Sequence, residues 1–226
     1  FDDSVKPVDI NTIASTYLGT ENKLYDSMIA ATLIAAVARP LNRGCKFDNC
    51  CTLKGRQGIG KSSFWRILAS DNWFSDSWLD NTQNQYMNFQ TCWFLEISEL
   101  DHLTNKQDSG RIKALLSSSI DTFRSPYSRT IGKFPRPSIM VATCNRSDFL
   151  TDSTGSRRFW IIDLPNRVID LNKVADDRDS IFKAAILAYR DGRKAILTKG
   201  EQIESNEQNE LFESENPFLA RLIEWM

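Results

Sequence analysis

The stretch GRQGIGKS at residues 55–62 constrains this chain more than any other. It matches G-x-x-x-x-G-K-[ST] at every fixed position, follows a short apolar run and opens a helical pattern. A loop that wraps phosphate needs glycines, which let backbone N–H groups turn inward with no Cβ in the way. The helix behind it presents its N-terminus to the anion. On this reading Gly55, Arg56, Gln57, Gly58, Ile59 and Gly60 form the loop, and Lys61 reaches the β- and γ-phosphates. Ser62 is a magnesium ligand, and Ser63 joins the nucleotide-binding set at the helix start. Chance alone gives such a match in roughly one chain in a hundred of this size. The strand before it and the helix after it are the context the motif requires.

Residues 9–42 read as helices, with an Ala-rich run stopping at Pro40, and 47–54 as a buried strand before the loop. A helix follows from about 61 to 70. Residues 71–90, rich in Asn, Asp and Gln, read as irregular. TCWFLEIS at 91–98, SIMVATCN at 138–145 and RFWIIDL at 158–164 read as further strands. Ile112, Leu115, Leu116 and Ile120 mark an amphipathic helix, and 173–191 another. RSPYSRTIGKFPRPS at 124–138 reads as a hairpin or loop excursion. The tail from 199 reads as short helices with an acidic polar break around 201–216. Strands that are continuous apolar runs, alternating with helices, predict an α/β fold with a mainly parallel sheet covered on both faces. The expected division is a helical flank at 1–44, a nucleotide-binding core at 45–165 and a helical lid at 166–226.

The five cysteines are odd in number and lack C-x-x-C spacing. That argues against a disulfide framework or a zinc site and for a reducing cytoplasm. Cys50, Cys51, Cys92 and Cys144 lie in apolar runs and read as buried thiols. The apolar run Met28–Ala38 is too short to span a bilayer, so no membrane role is expected. The chain opens on Phe1 and closes on Met226, which reads as a piece of a longer protein.

A phosphate loop needs a carboxylate for the magnesium shell and commonly one for water, placed at the end of an adjacent buried strand. Glu96 is the candidate for the metal and Glu99 for the water. Asn145, ending another apolar strand, is placed to contact the γ-phosphate or the attacking water; the plainer alternative is a turn residue. Arg157 and Arg158 precede the last strand. Either they are surface residues or one of them serves a neighbouring subunit's nucleotide.

The net charge of −1 hides a local excess: residues 111–136 hold Arg111, Lys113, Arg124, Arg129, Lys133 and Arg136 against the single acid Asp121. Tyr127 and Phe134 are interleaved and could stack on bases. A hairpin turning near Ile131-Gly132 would carry Arg129 and Lys133 at its tip as nucleic-acid contacts, with Lys133 the first choice. The alternatives are a solvated basic loop or a subunit contact with Asp176, Asp177 and Asp179. His102, the only histidine, reads as a surface residue, and the six tryptophans as core and interface anchors.

GRQGIGKSS, WFLEISELD, IKALLSSSIDTFRSPYSRTIGKFPRPSIMVATCN and FLTDSTGSRRFWIIDL together resemble the virulence-associated E (VirE-like) family of phage and mobile-element proteins, over about residues 48–165. That family is related to superfamily 3 helicases, AAA+-like P-loop ATPases that work as hexameric rings. The resemblance implies ATP and Mg²⁺ as cofactors, single-stranded DNA and further copies of the chain as partners, and an upstream primase as a possible neighbour. It assigns Lys61 and Ser62 to phosphate and magnesium, Glu96 and Glu99 to the acidic motif, Asn145 to the sensor and Arg157 or Arg158 to the arginine finger. Only 35 positions separate Lys61 from Glu96, the compact spacing of superfamily 3. Two residues separate Glu96 from Glu99 where such proteins often have adjacent acids, so the division of labour between them stays open. The rival expectations are an ATP-driven switch that remodels a protein without unwinding and, more weakly, a small-substrate kinase.

Overall fold

The four apolar runs become four parallel strands: β1 (Cys50–Lys54), β3 (Phe94–Ile97), β6 (Ile139–Cys144) and β7 (Phe159–Asp163). The computed structural model describes residues 4–100, 106–146, 149–150 and 153–213. A fifth strand, β2 (Phe74–Ser75), completes the sheet in the order β2-β3-β6-β1-β7, every pair parallel. β1, β3 and β6 are buried almost throughout, as strands covered on both faces must be. One face packs against α1 (Lys23–Leu41), α2 (Lys61–Ala69) and α6 (Arg178–Arg190), and the other against α3 (Thr82–Thr91) and α4 (Lys106–Ser117).

Several segments differ from the sequence-based expectation. Residues 71–90 are largely ordered: a 3₁₀ turn, β2 and α3, which buries only Gln85 and Phe89 and so shows little periodicity. Ile120 belongs to a strand, β4 (Ile120–Phe123), not to the preceding helix, because α4 ends at Ser117. The helix expected over 173–191 is two, α5 (Leu171–Asp176) and α6, meeting at Asp177. The acidic stretch after 200 is a helix, α7 (Lys199–Glu210), started by a reciprocal capping box between Thr198 and Glu201. His102, Asp101 and Trp225 lie outside the described residues.

α1 passes Pro40 and ends at Leu41. A proline there removes the N–H that would bond the carbonyl of Ala36. The Trp93 indole fills the vacancy, donating from Nε1 to Ala36 O at 2.7 Å. By length and composition α1 could cross a membrane, but 78% of its most apolar window is buried inside the fold. All five cysteines are free thiols; Cys50, Cys51, Cys92 and Cys144 are buried, and burial pushes Cys51 and Cys92 up to about 12.

Candidate functional site

The carboxyl ends of parallel strands are where an open α/β sheet offers a crevice. Here the loop after β1, Ser98 and Glu99 after β3, and Thr143 and Asn145 at the end of β6 surround a cleft of about 420 Å³. Gly58 and Gly60 take φ of 83° and 98°, a region closed to most side chains. The loop starts tied to β6, with Gly55 N donating to Cys144 O at 3.2 Å, and is held from above by Ile169 N donating to Ile59 O at 2.9 Å. Gln57, Gly58, Gly60, Lys61, Ser62 and Ser63 line the cleft. Gly55 and Ile59 are buried behind it, and Arg56 turns outward to Asn166 Oδ1 at 3.4 Å.

Lys61 is 7% exposed. Its Nζ donates to Gly55 O at 2.7 Å, Arg56 O at 2.9 Å and Asn145 Oδ1 at 2.9 Å. The fold therefore joins two sequence candidates 84 residues apart in one hydrogen bond. Glu96 is fully buried, and its Oε1 accepts from Ser62 Oγ at 2.7 Å and Thr143 Oγ1 at 2.6 Å. Burial raises its pKa above the ordinary carboxyl value; the Thr143 and Ser62 hydroxyls oppose the rise without cancelling it. Glu96 Oε2 has no hydrogen-bond partner among the described residues. Glu99 lines the cleft beyond the strand, in a left-handed conformation with φ of 52°, unusual for a non-glycine residue.

A buried carboxylate with one oxygen unmatched, beside a serine hydroxyl at a helix start, fits a hard divalent cation. Magnesium takes oxygen ligands, commonly one or two carboxylates plus substrate phosphates. Among the described residues no cluster of three or more His, Cys, Asp or Glu forms an all-protein metal cage.

The acid does not sit on the strand next to β1, as the sequence suggested. β6 lies between: Glu96 pairs in register with Val141, and Val141 with Cys51. Thr143, on that intervening strand, bridges the gap to Glu96. Sequence reading missed it because a threonine in an apolar run looks like any strand former.

The hairpin is real but its tip lies elsewhere. β4 pairs with β5 (Gly132–Pro135) in antiparallel register from Ile120↔Pro135 to Phe123↔Gly132. Residues 124–131 form the tip, and Gly132 begins the returning strand. Arg129 is exposed in the tip, Lys133 is exposed just inside β5, and Tyr127, at φ 64°, is fully exposed. Phe134 stacks on Phe123 at 4.4 Å, which ties it into the hairpin. Arg136 is 2% exposed and contacts the fully buried Asp121 through Nε at 3.1 and 3.2 Å. It also donates to Leu115 O and lies 3.9 Å over the Phe89 ring. This arginine is therefore a structural pin at the hairpin base. Arg111 lies over Trp78 and bonds Leu79 O. The exposed surplus is smaller than the charge count.

Arg157 and Arg158 end a 3₁₀ turn (Ser153–Arg158) just before β7, at the opposite end of the sheet from the cleft. Five residues of β7 at about 3.3 Å each put roughly 16 Å between them and the strand end that faces the Gly-rich loop. Arg157 is exposed, while Arg158 Nε donates to Ser117 Oγ at 3.2 Å.

The Virulence-associated protein E-like (VapE-like) domain model matches residues 5–214. The chain belongs to the VapE-like family. No match was found among curated protein sequences. Among solved structures the VapE-like chain is similar to the apo NrS-1 C terminal region (305-718), with a TM-score of 0.61 at 14% identity over 91% of this chain and 53% of that one. A second apo form of the same region gives a TM-score of 0.58 at 12% identity over 93% and 52%. The VapE-like chain thus spans about half the length of those structures and shares their fold.

Proposed function

We propose that this VapE-like domain is an ATP-hydrolysing motor module of the superfamily 3, AAA+-like kind, acting on single-stranded DNA as a ring of copies, six by the family resemblance. The observation that carries the reading is the bonded set Lys61–Asn145 and Ser62–Glu96–Thr143 around one cleft. A triphosphate would take Lys61 from its loop carbonyls, with loop N–H groups and the α2 N-terminus around the phosphates. Magnesium, held by Ser62 and Glu96, would neutralise phosphate charge. Glu99 would accept the proton of a water that attacks the γ-phosphorus as the bond to the bridging oxygen breaks, and Asn145 would orient that water. Val168, 69% exposed, and Leu171 give the cleft an apolar wall suited to a base.

The arginine pair is too far from its own cleft to act there, which favours a role on a neighbouring copy. Arg129 and Lys133 would hold DNA phosphates without reading sequence. The test is steady-state ATP hydrolysis with and without single-stranded DNA across protein concentration. A rate that rises with DNA, and more than linearly with protein, is expected. A rate indifferent to both sinks the ring motor and leaves an ATP-driven switch.

A further inference from the structure

α7 is a polar helix with a buried face: Ser205 and Asn209 are 2% and 1% exposed. That face lies along β7, an edge strand of the sheet. An edge strand presents carbonyls with no strand to pair. Side-chain amides of α7 meet them: Gln208 Nε2 donates to Ile161 O at 3.3 Å, and Asn209 Nδ2 to Phe159 O at 3.0 Å. Asn209 Nδ2 also donates to Ser156 O at 2.8 Å.

Ser156 and Phe159 bracket Arg157 and Arg158. The Arg157 carbonyl between them accepts from Asn49 Nδ2 at 3.4 Å. Two asparagines, one from the lead-in to β1 and one from α7, thus hold three carbonyls of this four-residue turn. Just after α7, Phe212 O accepts from Leu150 N at 3.0 Å, so the same segment grips the chain upstream of the turn as well. Asn209 Oδ1 has no donor among the described residues. Covering an edge does not call for such a residue, since a lysine would serve. Fixing two particular carbonyls three residues apart does.

We propose that Asn209 is a positioning residue that sets the turn bearing Arg157 and Arg158, so that the pair meets a second copy's nucleotide at a defined place. The inference rests on the trans-acting reading of that pair. Asn209→Asp keeps the shape and removes the donor; Asn209→Ala removes both. DNA-stimulated hydrolysis should fall about tenfold or more in kcat, towards the level of the Arg157→Ala/Arg158→Ala double variant, while KM for ATP stays within about threefold. The deciding measurement mixes Asn209→Ala with Lys61→Ala. Each is slow alone. Together they should exceed the sum of the two, because an intact cleft on one copy meets an intact arginine turn on the other. A mixture no faster than the sum, with a lowered Tm for Asn209→Ala, makes the residue merely structural and overturns the proposal. A double arginine variant as fast as wild type overturns it by removing its premise. A wild-type chain that hydrolyses no ATP overturns the motor reading itself.

Discussion

The two edges of the same sheet are built in opposite ways. At the carboxyl edge, side chains are buried and bonded to one another: Lys61 to Asn145, Ser62 and Thr143 to Glu96. At the amino edge, the hairpin and the arginine turn are anchored at their bases and exposed at their ends: Asp121–Arg136 beneath, Tyr127, Arg129 and Lys133 outside. Bond breaking needs groups fixed before the substrate arrives. Gripping a separate body needs groups that project. The two edges lie roughly 16 Å apart along the strands, so one copy cannot bring its own arginine turn to its own cleft. On the proposed ring reading, a neighbouring copy would.

The sharpest way to break this contrast is to unseat the anchor. Arg136→Ala leaves a fully buried carboxylate unpaired and should destabilise the chain by about 3–5 kcal/mol in urea unfolding. Replacing both partners, Asp121→Leu with Arg136→Met, should recover most of that loss. Equal losses for the single and double variants would show that the pair is no anchor.

Next, Lys61→Ala should lower ATP turnover about 10²–10³-fold, while single-stranded DNA binding, read by fluorescence anisotropy without nucleotide, stays near wild type. Parallel loss of both would join the edges functionally.

Glu96→Gln tests the cost of holding a carboxylate ready. Burial raises this carboxyl above its ordinary value of 4.5. A raised acid contributes stability fully below the unfolded value and loses it as pH rises through the folded one. Without nucleotide or metal, wild type should therefore lose stability over that window, and Glu96→Gln should not. At neutral pH the variant should melt at or above the wild-type temperature while hydrolysing no ATP. A lower Tm for the variant at pH 7 would refute this account.

The smallest effect belongs to the projecting edge. Lys133→Glu should weaken DNA binding and flatten its dependence on log salt by about 0.7 for one lost single-strand phosphate contact, with basal hydrolysis unchanged. An unchanged salt slope would return Lys133 to the solvated surface.

The carboxyl edge was far more legible in the sequence than the amino edge. A loop that must admit phosphate tolerates few residues, so GRQGIGKS declares itself, and Glu96 and Asn145 stand out as polar ends of apolar runs. Thr143 did not, because its hydroxyl matters only once β6 lies beside β3. Arg136 counted toward the basic excess because net charge is blind to a partner fifteen residues earlier. α3 and α7 were obscure for one reason: both are largely polar, and what α7 buries are amides serving backbone carbonyls rather than apolar side chains.

The indole of Trp93 seated on Ala36 O, where Pro40 supplies no N–H, makes a lock between a helix end and the lead-in to the acid-bearing strand. Pro40→Ala, favourable by helix propensity alone, would bring a second donor to a carbonyl already claimed. In hydrogen exchange, α1 and β3 of the wild type should open as one cooperative unit, and Pro40→Ala should let them open separately. Any event that shifts the acid's strand would be felt at the far end of the longest helix.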